Sequence, residues 1–364
     1  MKAKVIIGHS EIDSDLYYAT YFLAPDNFIY LEIGKRKIVY VNDMEFSRAT
    51  GEIKCCEVFN VSSCPKKYKN ALEWIVKENK IDEIIVSENL PIKYVETLRK
   101  LGVKIEIKVG DFFPERSEKN EKEIENIKKT QEVNGKAMSL VIEVIRKSKI
   151  KKDGKLEYKN KILTSEFLKE VVDIEFLKGK CRSEMNIISC GKLSAQPHSS
   201  GSGAIFANEP IVIDLFPRSM ENRYYADMTR TVVKGKASEE IKKIYKTVLQ
   251  GQKMAIENLK AGVKISSLEK EVRAYFEKIG YTTENVNGNS QGFIHSLGHG
   301  VGLDIHEKPS ITQKNNKKLK VGNVITIEPG LYYPEIGGIR IEDMLLIKGE
   351  GYENLTNFPH FLEI

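Results

Sequence analysis

Four carboxylates set beside or within apolar runs are the residues of this chain best suited to chemistry. Asp214 follows Ile211-Val212-Ile213, Glu328 follows Val324-Ile325-Thr326-Ile327, and Asp227 and Glu342 introduce later apolar segments. An ionised carboxylate in such a place loses much of its hydration and needs a positive partner. A divalent metal ion is the strongest such partner. The competing reading pairs the acids with Arg230 and Arg340, two or three residues away. For any single acid the two readings weigh evenly; for all four together the metal is favoured.

The spacing repeats. Asp214 and Asp227 lie 13 residues apart, Glu328 and Glu342 lie 14 apart, and each pair brackets a turn-rich loop. Each unit reads as strand, carboxylate, loop, carboxylate, strand, which suits two hairpins that each bring a pair of acids together. By the two-residue period of a strand, Arg340, Glu342 and Met344 share one face and Ile341, Asp343 and Leu345 the other.

Of six histidines, His198, His295, His299 and His306 fall in the same stretch. His299 sits in Gly298-His299-Gly300-Val301-Gly302, whose small residues allow close approach to the ring, as a metal ligand requires. His306 could transfer a proton or contact substrate; His306-Glu307 is no helical HExxH zinc motif, because position 310 is Ser. His198 lies in a turn-rich loop, Gln196-Pro197-His198-Ser199-Ser200-Gly201, of the kind that carries function. His9, His295 and His360 read as ordinary structural histidines, although His295 is near enough to line a pocket. Four carboxylates and one imidazole are too many for a single catalytic zinc. They suit two ions roughly 3.5–4 Å apart with bridging carboxylates and a bridging hydroxide. The oxygen-rich set favours Mn²⁺, while Co²⁺, Fe²⁺ and Zn²⁺ also fit.

The chain of 364 residues is about twice a typical domain and predicts two. Residues 1–113 alternate strands (5–7, 28–33, 37–41, 83–86, 104–109) with helices (66–80, 91–101), a small α/β domain. A charged run, 114–148, passes into an apolar-faced helix, and the boundary is placed here, giving domains 1–115 and 116–364. Beyond it come helices at 165–172, 238–259 and 266–279, strands at 186–190, 210–215 and 227–233, and a β-rich block at 323–348. Ser266 and Glu269 have the form of a capping box. The fold class is α/β (α+β).

Composition narrows the function. The net charge of +6 comes from 57 basic and 51 acidic residues that are intermingled, which argues against nucleic-acid binding. No apolar run approaches the ~18 residues of a membrane span, and the N-terminal apolar stretch is too short for a signal peptide. Five cysteines without CxxC spacing indicate neither a disulfide framework nor a thiolate zinc site, so a cytoplasmic setting is expected.

Taken in order, Ile213-Asp214, Tyr224-Tyr225-Ala226-Asp227-Met228-Thr229-Arg230-Thr231, Ser296-Leu297-Gly298-His299-Gly300-Val301-Gly302-Leu303-Asp304-Ile305-His306-Glu307, Ile327-Glu328-Pro329-Gly330 and Gly338-Ile339-Arg340-Ile341-Glu342-Asp343 resemble the ordered motifs of the pita-bread metallopeptidases. The branch most resembled is that of the Xaa-Pro dipeptidases (prolidases) and aminopeptidase P, which also carry a separate N-terminal creatinase-like α/β domain. The resemblance implies a pita-bread catalytic domain with pseudo-twofold duplicated halves, acting on small peptides with proline at the second position. It implies two divalent ions, Mn or Co foremost and Zn or Fe otherwise, held by Asp214, Asp227, His299, Glu328 and Glu342, with Asp227 and Glu342 bridging. A hydroxide between the ions would attack the scissile carbonyl. Glu328 would handle its proton, and His198 and His306 would steady the carbonyl or the tetrahedral intermediate. Arg340 would orient ligand carboxylates; Tyr224 matches a tyrosine three residues before the second ligand. The branch also implies a homodimer.

Two departures stand out. The family pattern has Asp-x-Gly after the first ligand strand, where this chain has Asp214-Leu215-Phe216-Pro217-Arg218, and the loop between the two Asp residues is longer than usual. Phe216 or Arg218 could project into the pocket or cover it from outside. Alternatives from the same fold are a general or methionine aminopeptidase, a creatinase-like amidine hydrolase, and a non-catalytic peptide-binding module. The last two are disfavoured by the full set of five ligands.

Overall fold

The computed structural model describes residues 1–286 and 288–364. The chain divides into two compact units, Met1–Arg116 and Ser117–Ile364.

The first unit is built on a six-stranded sheet in the order Glu57–Asn60, Arg36–Val41, Phe28–Ile33, Lys2–Gly8, Glu83–Ser87, Lys104–Lys108. Its centre is antiparallel and its flanks are parallel. Parallel strands are stable with both faces covered, and the residues alternate accordingly. Val5, Ile7, Ile38 and Tyr40 pack with Leu72, Ile75 and Leu98 on one face. Ile6, Val39 and Val41 pack with Leu16, Phe22 and Ala49 on the other. The helix expected at 66–80 is confined to Ala71–Glu78, because the Asn70 side chain caps it by accepting from the Glu73 amide at 2.9 Å. Helices Ser14–Thr20, Asp43–Glu52 and Ile92–Lys100, the last close to the one expected at 91–101, also belong to the unit.

The second unit opens with the helix Glu121–Lys147. Its start is fixed by a reciprocal box in which Asn120 accepts from the Glu123 amide and Glu123 accepts from the Asn120 amide. Two similar halves follow. In the first, this helix and Ser165–Lys178 pack on the antiparallel sheet Ile187–Cys190, Ile211–Leu215, Met228–Val232. In the second, Glu239–Glu257 and Ile265–Lys278 pack on the sheet containing Gly298–Gly300, Val324–Ile327 and Asp343–Ile347. This mixed α/β layout, two helices over an antiparallel sheet repeated once, is the duplicated arrangement expected of the pita-bread domain.

One local expectation fails. Ser266 does not cap the helix Ile265–Lys278, whose N-cap is Lys264 without a side-chain bond. Ser266 Oγ instead meets Asn316, and Glu269 pairs with Arg273 and accepts from the Gln313 amide. Tertiary partners outcompete the local box.

Candidate metal centre

Both halves place acids at the ends of antiparallel strands. Asp214 lies within Ile211–Leu215, in register with Thr229, and Asp227 immediately precedes Met228–Val232. Glu328 immediately follows Val324–Ile327, and Glu342 immediately precedes Asp343–Ile347, where Ile327 is in register with Asp343. The strand ends at Arg340 and the next begins at Asp343, so Glu342 occupies a break between two strands rather than the continuous strand of the sequence reading.

His299 reaches the same place from Gly298–Gly300, which pairs with Glu307–Ile311 and Val324–Ile327. Its flanking glycines admit neighbouring backbone: a Cβ at Gly298 would collide with the Thr326 carbonyl and one at Gly300 with the Lys308 carbonyl. The close approach expected around this histidine is therefore that of adjacent strands.

The five residues line one cavity of about 600 Å³, together with Arg340, His198, His295 and His306. One potential ligand atom from each of Asp227, His299 and Glu342 lies within 4.8 Å of the others. His299 Nε2 is 3.1 Å from Glu328 Oε1 and 3.6 Å from Asp227 Oδ2. Asp214 Oδ2 accepts from Arg340 Nη2 at 2.6 Å. Arg230 does not serve the acids as the competing reading supposed; it pairs with Asp343 at 2.8 Å and donates to the carbonyls of Glu342 and Phe358. Arginine thus compensates Asp214 and, among the described residues, leaves Asp227 and Glu342 without an arginine or lysine partner.

The electrostatics follow. Burial, and then the neighbouring carboxylates, push Asp227 and Glu342 well above the usual carboxylate range. Burial also raises Asp214, against the pull of Arg340. Glu328 goes the other way: burial opposes its ionisation, yet the hydrogen bond and charge of His299 hold it at about 2. Asp214 Oδ1 and Asp227 Oδ1 are buried with no hydrogen-bond partner among the described residues. Crowded acids with orphaned oxygens and one imidazole are the donor set of a hard divalent cation, and the residues present fit such ions.

Supporting side chains are equally defined. Thr229 Oγ1 donates to Glu342 Oε2 at 2.7 Å and Thr326 Oγ1 to Glu328 Oε1 at 3.1 Å. Arg340 donates from Nε to Thr229 Oγ1 and from Nη1 to the Tyr332 hydroxyl at 2.8 Å. Because that hydroxyl accepts from Arg340, its own proton points to His295 Nε2, 2.9 Å away, and His295 Nδ1–H donates to the Ser296 carbonyl. His306 packs edge-on against His299, with ring centroids 4.4 Å apart.

Of the site residues expected from sequence, Tyr224 lies apart from the cavity wall. It is buried, and its hydroxyl donates to Glu123 Oε1 at 2.7 Å, at the start of the long helix. His295, read from sequence as structural but near enough to line a pocket, lies on the cavity wall. Phe216 is on the wall with Met185, Ile187 and Ile305, whereas Arg218 belongs to a short strand beside Cys181–Arg182, its guanidinium over the Tyr225 ring. Sequence reasoning missed Thr229, Thr326 and Tyr332. Both threonines sit two residues from an acid, a spacing that puts them on the acid's strand face; Tyr332 carries no such signal.

A family model described as metallopeptidase family M24 matches residues 125–349. The chain is 35% identical to the Xaa-Pro dipeptidase of Pyrococcus horikoshii over 329 residues, 89% of this chain and 84% of that protein. It is also 35% identical to that of Pyrococcus furiosus, over 89% of this chain and 85% of the relative. Among solved structures it resembles the prolidase from Pyrococcus horikoshii OT3, with a TM-score of 0.83 and 31% identity over 100% of this chain and 95% of the other. The X-Pro aminopeptidase from Thermotoga maritima is similar too, with a TM-score of 0.82 and 26% identity over 100% and 98%.

Proposed function

The chain belongs to metallopeptidase family M24, and from that premise we propose that this metal-dependent peptide hydrolase cleaves the bond preceding proline in small peptides. The observation that carries the reading is the convergence of Asp227, His299 and Glu342 within 4.8 Å, beside buried carboxylate oxygens that lack partners. Asp214, Asp227, His299, Glu328 and Glu342 would hold two divalent ions, Mn or Co before Fe or Zn. When bound, such ions supply Lewis acidity toward the scissile carbonyl and an acidified water.

The remaining work falls to the chain. Glu328, oriented by Thr326, would accept the proton of the attacking water at a carboxylate oxygen. It would pass that proton to the departing proline nitrogen, which has no N–H in the substrate and leaves only when protonated. His198 and His306 would hydrogen-bond the substrate carbonyl oxygen as charge develops on it. Arg340, tied to Asp214, Thr229 and Tyr332, would fix the carboxylate directions. The apolar side chains of Phe216, Ile187 and Met185 would receive the substrate's hydrocarbon.

The test is Mn²⁺-reconstituted protein assayed by chromatography against Ala-Pro, Ala-Pro-Ala and Ala-Ala-Ala. Cleavage before proline is expected, with Glu328→Gln slower by about 100-fold or more. Cleavage of Ala-Ala-Ala alone overturns the proline assignment. We also propose a homodimer in the cytoplasm; sedimentation at the mass of one chain would count against the dimer. Among the described residues no helix is long and apolar enough to cross a membrane.

A further inference from the structure

Resting on the proline-bond reading, we propose that the site prefers peptides that continue beyond proline over free dipeptides. A dipeptide carries its α-carboxylate one residue from the scissile bond, so that charge must enter the cavity with the reacting group. A carboxylate there needs a cation. Among the described residues of the wall, Arg340 is the only side chain with a permanent positive charge. Its nitrogens are engaged: Nη2 to Asp214 at 2.6 Å, Nε to Thr229 at 3.2 Å, Nη1 to Tyr332 at 2.8 Å. Two divalent ions and Arg340 would carry one positive charge more than the four carboxylates, and the deprotonated water takes up that one, which leaves no surplus for a substrate carboxylate. The rest of the wall includes Met185, Ile187, Phe216, Ile305 and Ser310, apolar or neutral side chains.

The same charges favour the other end of a peptide. Carboxylate oxygens at the floor can accept from the α-ammonium group, whereas a substrate carboxylate finds no free cation on the wall, so the amino end is the one drawn inward. There is also room for a longer chain. Met185 borders a second recess of about 240 Å³, lined by Lys169, Asn186 and Ser200 together with Asp173, Ser183 and Glu184. The Lys169 ammonium is on that wall, 2.8 Å from the Gly201 carbonyl, but Asp173 and Glu184 share the recess, so what it offers a longer peptide is room rather than a net positive charge.

The experiment compares kcat/KM of the Mn²⁺-loaded enzyme for Ala-Pro, Ala-Pro-amide and Ala-Pro-Ala at neutral pH. The amide removes the charge without adding a residue. The amide and the tripeptide are both expected to exceed Ala-Pro by about tenfold or more, the effect of one imperfectly compensated charge. Ala-Pro turned over as well as its amide overturns the proposal while leaving the proline assignment standing. Cleavage of none of the three removes that assignment and this inference with it.

Discussion

Thr229 holds Glu342 by two bonds at once. Its hydroxyl donates to the Glu342 carboxylate at 2.7 Å, and its carbonyl accepts from the Glu342 amide at 3.1 Å. Since Thr229 belongs to the first half of the catalytic unit and Glu342 to the second, this pair joins the halves at the acid cluster. Thr229→Val keeps the shape and the backbone bond but deletes the hydroxyl. Weaker Mn²⁺ binding is expected, by about 10–100-fold, as for loss of an outer partner of a metal ligand. Calorimetric titration of the metal measures it; an unchanged affinity would show that the hydroxyl does not orient Glu342.

Arg340 is the second such support, because its guanidinium bonds Asp214, Thr229 and Tyr332 together. Removing one partner of a buried charge pair costs about 3–5 kcal/mol, since the other charge is left uncompensated. Arg340→Met should therefore lower the urea midpoint of the metal-free protein sharply. Added Mn²⁺ should restore part of the loss by giving Asp214 another cation. Equal midpoints for wild type and variant would mean that the ion pair contributes nothing net.

Much of this was legible in the sequence, for a physical reason. Acids in apolar strands are costly, so Asp214, Asp227, Glu328 and Glu342 announce a compensating partner wherever the strands go, and the apolar periods give the two first-half strands to within a residue, while the second half was legible only as a β-rich block. What is not legible depends on tertiary contact. Tyr332 joins Arg340 to His295, 37 residues away in sequence, through a hydroxyl that no local pattern marks. Tyr224 shows the converse: its place beside Asp227 in the motif suggested the pocket, but the fold turns it to Glu123. Ser266 had the right spacing for a cap and lost it to Asn316.

Away from the cavity, Cys55 and Cys56 set their sulfurs 3.6 Å apart near the Ala19 carbonyl. The hydrogen bond from Cys56 holds the Cys55 thiol down at about 6 in spite of partial burial, with help from Lys37, while Cys56 is pushed above the ordinary thiol range. The thiolate is the reactive form, so alkylation of Cys55 should rise as pH increases through about 6 and level off before the ~8.5 of a free thiol. Peptide mass spectrometry after brief iodoacetamide pulses gives the midpoint. Cys56→Ala should move that midpoint upward; a wild-type midpoint near 8.5 would contradict the pairing.

Phe216 stands on the cavity wall two residues after Asp214, where the family pattern places glycine. Its backbone follows a strand whose Leu215 is fully buried and whose Asp214 is held by Arg340, which sets the ring at the cavity wall. It must narrow the site. Phe216→Ala removes the ring and opens space beside Ile187 and Met185, which should favour substrates with a bulkier side chain next to the scissile bond. Differences of this kind in an apolar pocket are worth about 1–3 kcal/mol, or roughly 10–200-fold in kcat/KM. The ratio of kcat/KM for Phe-Pro-Ala to that for Ala-Pro-Ala should rise by at least about tenfold in the variant. A parallel fall for both peptides, with the ratio unchanged, would mean that Phe216 supports the strand end and takes no part in substrate choice.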